Sequence, residues 1–143
     1  SLDLPAEGEK THHIGLGKEL MVQQLNRDGF LSDLMMDRGI ITNSVWGILN
    51  KRVTKKSVYK ELDYMLWNNL FKDTFFFLIT GTSPENREKD VWDYMDKKIP
   101  EESALFLEFS DYLSERGVKI QTIENRFNAE SLSTFQTIIK NLK

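Results

Sequence analysis

His12 and His13 are the only histidines in the chain, and they are adjacent. A helical metal site spaces its ligands three or four residues apart so that they share a face, and neighbours in sequence do not. The 143 residues contain no Cys, which removes thiolate ligands, and no third ligand lies near the pair. The expectation for both histidines is a mobile tail holding no metal. Gly15-Leu16-Gly17 lacks a preceding strand and a third glycine, so it is not a phosphate-cradling loop. Ser103, Ser110, Ser131 and Ser133 fall in helical patterns with no histidine beside them in sequence. A serine nucleophile needs such a base within hydrogen-bond reach. The residues therefore read as a non-enzyme with no cofactor.

Charge is more informative than nucleophiles. Glu101, Glu102, Glu108, Asp111 and Glu115 make an acidic helix within residues 83–116, which hold ten acids against five bases. A carboxylate metal site would need those acids turned inward. The apolar stripe of the same helix leaves them outward, as a solvated face. Lys51, Arg52, Lys55, Lys56 and Lys60 form the one basic run. On a helix starting near Thr54, Lys56 and Lys60 are one turn apart, with Lys55 beside them and Lys51 and Arg52 on the loop entering it. Asp28, Asp33 and Asp37 supply a weaker acidic counterpart, diluted by Arg27 and Arg38. The two clusters read either as ordinary solvated faces or as complementary docking faces. The formal net charge of −3 gives no global field for nucleic acid. The basic run also shows no exposed aromatic ladder, so an acidic protein surface suits it better.

The elements that must carry these residues read as helices throughout. The densest apolar stretch is Ser57–Thr82. Val58, Leu62, Met65 and Leu66 share one helical stripe, and Phe71, Thr74, Phe75 and Leu78 share a second. Asn68-Asn69 is the expected joint and Gly81 the expected stop. Residues 1–11 read as a flexible tail. A first helix is expected over His12–Asn26, with a bend or break at Gly15 and Gly17. Asp28 is the expected N-cap of a second helix carrying Leu31, Leu34 and Met35 and ending at Gly39. Thr42 is expected to cap a short third helix with Val45, Trp46, Ile48 and Leu49, and Thr54 to cap the fourth. Ser83-Pro84-Glu85 and Pro100-Glu101-Glu102 announce two more helices. The first of these carries Val91, Trp92 and Met95; the second carries Leu105, Phe109, Tyr112 and Leu113 and stops at Gly117. A shorter helical piece with Ile120, Ile123 and Phe127 is followed by a last helix, capped by Asn128, with Leu132, Phe135, Ile139 and Leu142. Val118-Lys119-Ile120 and Ile40-Ile41 are the only strand-like fragments. The expected core contains Leu31, Leu34, Val45, Leu49, Leu62, Leu66, Phe75, Leu78 and Trp92.

Hydrophobic residues make up 40% and charged residues 29% of the chain, the balance of a folded soluble domain. The longest apolar run, Thr74–Thr80, is too short to span a bilayer, and no secretory leader pattern is present. The expected setting is cytoplasmic.

Residues 13 to about 96 resemble a caspase recruitment domain (CARD), of the death-fold superfamily. Asp28-Gly29-Phe30-Leu31-Ser32-Asp33-Leu34 looks like its second helix, and Arg38-Gly39-Ile40-Ile41-Thr42 like the short link that follows. Trp46, Ile48 and Leu49 resemble helix three. Arg52-Val53-Thr54-Lys55-Lys56 and the Leu62–Leu66 stripe resemble helix four, and Phe75, Phe77, Leu78 and Thr80-Gly81-Thr82 resemble helix five and its ending. The family commonly has Gly where this chain has Asn68-Asn69. The resemblance implies an all-α fold: a six-helix death-fold bundle over residues 12–98, with residues 99–143 packed on it as two or three additional C-terminal helices. It implies an adaptor or regulator in apoptotic or innate immune signalling that binds another CARD-type domain, or itself, through opposed charged faces. Two other readings stay open: a helical regulatory or structural protein, viral among the possibilities, unrelated to death folds, and a small helical nucleic-acid binder using Lys51 to Lys60.

Overall fold

The computed structural model describes residues 7–30, 34–80, 99–124 and 128–142. Its elements are α1 (Glu7–Arg27), α2 (Ile40–Leu49), α3 (Lys55–Trp67), β1 (Phe75–Thr80), α4 (Ile99–Ser114), β2 (Lys119–Glu124) and α5 (Ala129–Asn141).

The first four helices end in the same way. After α1, the Phe30 amide donates to the Leu25 carbonyl and the Gly29 amide to Asn26. The same paired bonds close α2 at Arg52 and Lys51, α3 at Leu70 and Asn69, and α4 at Val118 and Gly117. This Schellman closure puts one residue in the left-handed region: Gly29, Lys51, Asn69 and Gly117, with φ of 79°, 56°, 54° and 89°. The residue after it turns inward in two cases. Leu70 and Val118 are buried, as are Met65 and Leu113, the apolar pairs that accompany this motif.

The core is built from α2 (Ile40, Ile41, Val45, Leu49), α3 (Val58, Leu62, Met65), the turn residues Leu70 and Phe71, and α4 (Leu105, Phe109, Leu113) with Val118. α4 packs on α2, and α1 covers α2 from another side. β1 and β2 pair in parallel, Phe75 opposite Lys119 through Thr80 opposite Glu124. Parallel strands need a crossover connection, and α4 lies within it. Alternate strand residues face opposite ways. Phe76 and Ile120 pack toward the main core, with Phe76 edge-on to Phe71 at 5.6 Å. Phe77 faces the other way and meets Phe135 of α5 at 5.7 Å.

The all-α expectation is therefore overturned. The described residues hold five helices and a two-stranded parallel sheet, not a six-helix death-fold bundle with added C-terminal helices. The decisive stretch is Phe75–Thr80. A short uninterrupted apolar run satisfies helical and strand templates equally, and its aromatic and β-branched side chains favour a pleated surface. Lys119–Glu124 is likewise strand rather than helix. Phe75 lies 38% exposed, outside the core.

The expected second helix is also absent from its described part. Asp28 closes α1 instead of opening a new helix, because Gly29 takes the left-handed conformation directly after it. Leu34 to Asp37 form no helix, and Leu34 and Met35 are exposed by 57% and 76%. α2 starts at Ile40, two residues before the expected Thr42 cap. α1 begins at Glu7 and runs unbroken through both glycines. Gly15 is there for space: a Cβ would stand 3.0 Å from Asn43 Oδ1. Thr54 caps α3 as expected, accepting from the Ser57 amide at 3.2 Å. Asn128 caps α5, accepting from Ser131 at 2.9 Å. Leu31, Asp33, Gly81, Phe127 and the expected helix with Val91, Trp92 and Met95 lie outside the described residues.

Candidate functional site

α3 is enclosed on most of its circumference. Val58, Leu62 and Met65 are fully buried. Toward α1, Glu61 meets His12. Toward α4, Lys55, Tyr59 and Asp63 meet Glu108 and Tyr112. The exposed side chains that make no such contact form a single stripe: Lys56, Lys60, Tyr64 and Trp67, spaced close to whole turns. All four are exposed, Tyr64 by 53% and Trp67 by 90%. A tryptophan that open carries an unburied apolar area large enough to anchor a partner. Lys56 and Lys60 have no carboxylate partner among the described residues.

Lys55 does not belong to that stripe. Its ammonium pairs with Glu108 at 3.1 Å, and Glu108 also accepts from the Tyr59 hydroxyl at 2.8 Å. The Tyr59 bond, helped by Lys55 and opposed by partial burial, holds the Glu108 carboxyl below its ordinary range. Burial and the Glu108 charge push the Tyr59 hydroxyl up to about 12. The Tyr112 hydroxyl donates to Asp63, a bond that raises its own pKa. Tyr59 and Tyr112 stack edge to face at 4.7 Å, and the Arg116 guanidinium lies over Tyr112 at 3.5 Å. Glu108, expected on a solvated face, thus helps fasten α4 to α3.

The remaining expected docking residues are dispersed. Lys51 occupies the left-handed position closing α2, and Arg52 follows it with its side chain against Gly8 of α1. Both are exposed at the start of the α3 stripe. Asp28 is exposed but pairs with Arg27 at 3.1 Å. Asp37 is exposed in the loop before α2, and Asp33 lies outside the described residues. The described part of the acidic face is therefore a loop with one carboxylate already matched.

His12 is not in a tail. It is 1% exposed on α1, with Nε2 at 3.1 Å and 3.2 Å from the Glu61 oxygens and Nδ1 at 3.5 Å from Asn43 Nδ2. Nε2 donating to Glu61 and Nδ1 accepting from Asn43 satisfy every partner. Gly47 makes room for it, since a Cβ there would lie 2.9 Å from the ring. The signal for this in sequence is Gly47 itself, a glycine inside a helical pattern. His13 faces Glu9 on the surface at 3.6 Å. No group of His, Cys, Asp or Glu among the described residues is arranged to hold a metal. The candidate serines lie on α4 and α5, and both ring nitrogens of His12 are engaged elsewhere.

Glu19 performs a second buried task. α2 has Gly39 at its N-cap, with no capping side chain. Glu19, 7% exposed on α1, accepts from the Ile40 amide in its place. A Cβ on Gly39 would stand 3.2 Å from its carboxylate. Burial pushes the Glu19 carboxyl above its ordinary value, against the hydrogen bonds from Gln23 and Ile40.

A shallow cleft of about 270 Å³ opens at the N-terminal ends of the strands, with Lys72, Arg116 and Lys119 on its rim. Two of its three cations are turned onto rings, Arg116 onto Tyr112 and Lys119 toward Phe75 at 5.7 Å, so it presents no cluster of free donors. No described helix is long and apolar enough to cross a membrane. Comparison of the chain with protein-family models, with curated proteins and with solved structures gave no match.

Proposed function

We propose that the protein is a non-enzymatic docking module that binds another protein through the solvent stripe of α3. The observation that carries this is Trp67, nine-tenths exposed and aligned with Tyr64, Lys60 and Lys56. Exposed lysines steer an acidic partner, and the aromatic end supplies the buried area. A narrower version of this role, an adaptor or regulator of apoptotic or innate immune signalling in the cytoplasm that meets a CARD-type domain, rests on the recruitment-domain resemblance alone, whose fifth helix is strand β1 here and whose second has no helix in its described part. Lys51 and Arg52 extend the basic end of the stripe. Lys55 drops out of the contact set, because Glu108 already holds it.

A second reading has its own observation. Lysines in line with exposed aromatics are also the means of gripping single-stranded nucleic acid, by phosphate contact and base stacking. The sequence had shown no such ladder; Tyr64 and Trp67 provide one. The net charge of −3 weighs against it.

One experiment separates the readings. The wild-type chain and the Lys56→Glu/Lys60→Glu variant are used as baits in a cell extract with and without nuclease, and tested against labelled oligonucleotides. The docking reading expects nuclease-resistant protein capture that the variant loses, with no oligonucleotide binding. Capture that nuclease abolishes, or oligonucleotide binding that weakens steeply with salt, supports the second reading. Identical capture by both baits rejects both.

A further inference from the structure

β1 has the position of an edge strand and the composition of an interior one. Among the described residues it is paired on one side only, with β2. β2, Lys-Ile-Gln-Thr-Ile-Glu, carries an exposed charge at each end, which is how natural sheets protect an edge. β1, Phe-Phe-Phe-Leu-Ile-Thr, carries none. An uncharged apolar run is the mark of a strand with a neighbour on both sides and cover on both faces. Yet Phe75 and Ile79 are 38% and 56% exposed, and an uncharged open edge is a template for another chain.

We propose that this edge pairs with β1 of a second copy, antiparallel about a two-fold axis, giving a four-stranded sheet ordered β2-β1-β1-β2. The sequence of β1 argues for a second copy. A two-fold perpendicular to the sheet keeps every side chain on its own face, so paired positions must share parity. With Phe77 on the axis, Phe75 falls opposite Ile79 of the second copy and Phe76 opposite its Leu78. Every such pair is apolar, on both faces, and no charge is desolvated. Aromatic and β-branched cross-strand neighbours are among the favourable pairs. The charged strands β2 become the outer edges.

α5 agrees with this placement. Its Phe135 touches Phe77, the axial residue, so both copies of α5 flank the axis on one face. No residue of α5 is buried in the single chain, and Leu132 and Leu142 are 57% and 40% exposed. The dimer brings two such stripes to the same side of one sheet. The interface is distinct from the α3 stripe and does not depend on it.

Sedimentation equilibrium of the full chain across its soluble concentration range tests this, together with single substitutions. The wild type is expected to show a reversible monomer–dimer equilibrium. Ile79→Lys, at an exposed position, should weaken it at least tenfold with an unchanged far-UV spectrum, whereas Lys56→Glu/Lys60→Glu should leave it intact. The absence of native Cys makes cross-linking decisive. Phe77→Cys should form a disulfide dimer under mild oxidation, since directly opposed residues lie within disulfide reach. Ile79→Cys should not, because its two copies stand about 14 Å apart in this register. A monomer at all concentrations overturns the proposal. So does a dimer insensitive to Ile79→Lys, one dissociated by the α3 variant alone, or equal cross-linking at positions 77 and 79.

Discussion

Two buried polar residues of α1 do work that charge alone does not reveal. The carboxyl of Glu19 is raised by burial, so the native state holds its proton more tightly than the unfolded chain. Its contribution is complete below the unfolded value of about 4.5 and is lost as pH rises through the native value. Once deprotonated, Glu19 is a buried charge tolerated for the sake of the α2 cap. Glu19→Gln keeps an acceptor for the Ile40 amide and removes the charge. Thermal melts should find it at least as stable as wild type at pH 7, with a flatter pH profile above pH 4.5. Glu19→Ala, which removes the cap, should cost about 1 kcal/mol. His12→Ala strands Glu61, whose side chain is only 14% exposed, and should cost about 1–3 kcal/mol in urea unfolding. Neither role was legible in the sequence. Glu19 reads as one more surface acid, and His12 is 49 residues from its partner, beyond any local pattern.

At the scale of elements, α3 was readable because its signals agree. Thr54 is a good cap, the stripe of Val58, Leu62 and Met65 has helical period, and Asn69 suits a left-handed closure. The last helix was readable from Asn128 and its stripe in the same way. β1 was not, since five consecutive apolar residues carry no period that separates strand from helix; the parallel partner that decides the matter lies 44 residues on in sequence. The loop after Asp28 was misread because Asp followed by Gly fits a helix end as well as a helix start. The correction changes the expected mutational cost. Leu62→Ala, fully buried, should lose about 2–5 kcal/mol. Phe75→Ala, 38% exposed, should lose less than half of that. The α3–α4 contact should also respond to alkali. Tyr59 is raised to about 12, so its contribution is complete below the ordinary tyrosine value and vanishes as pH climbs through 12. Near-UV circular dichroism of the wild type should show this loss. Tyr59→Phe should not show that step.

Over the whole molecule, the described helices and strands enclose a core centred on α2, α3 and α4, and they leave the α3 stripe and the β1 edge as separate surfaces. The charged contacts of α3 are divided between structure and solvent: Lys55, Tyr59, Glu61 and Asp63 bind α3 to its neighbours, while Lys56, Lys60, Tyr64 and Trp67 bind nothing within the described fold. Docking through the stripe depends on that division, so the most direct measurement sets folding against binding at one residue of the stripe. Trp67→Ala and wild type are compared for melting temperature and for the amount of protein each retains per mole of bait from nuclease-treated extract. Docking through the stripe predicts an unchanged melting temperature and at least a tenfold loss of retained partner. Undiminished capture by Trp67→Ala, or a loss of capture that merely follows a fall in melting temperature, would contradict it.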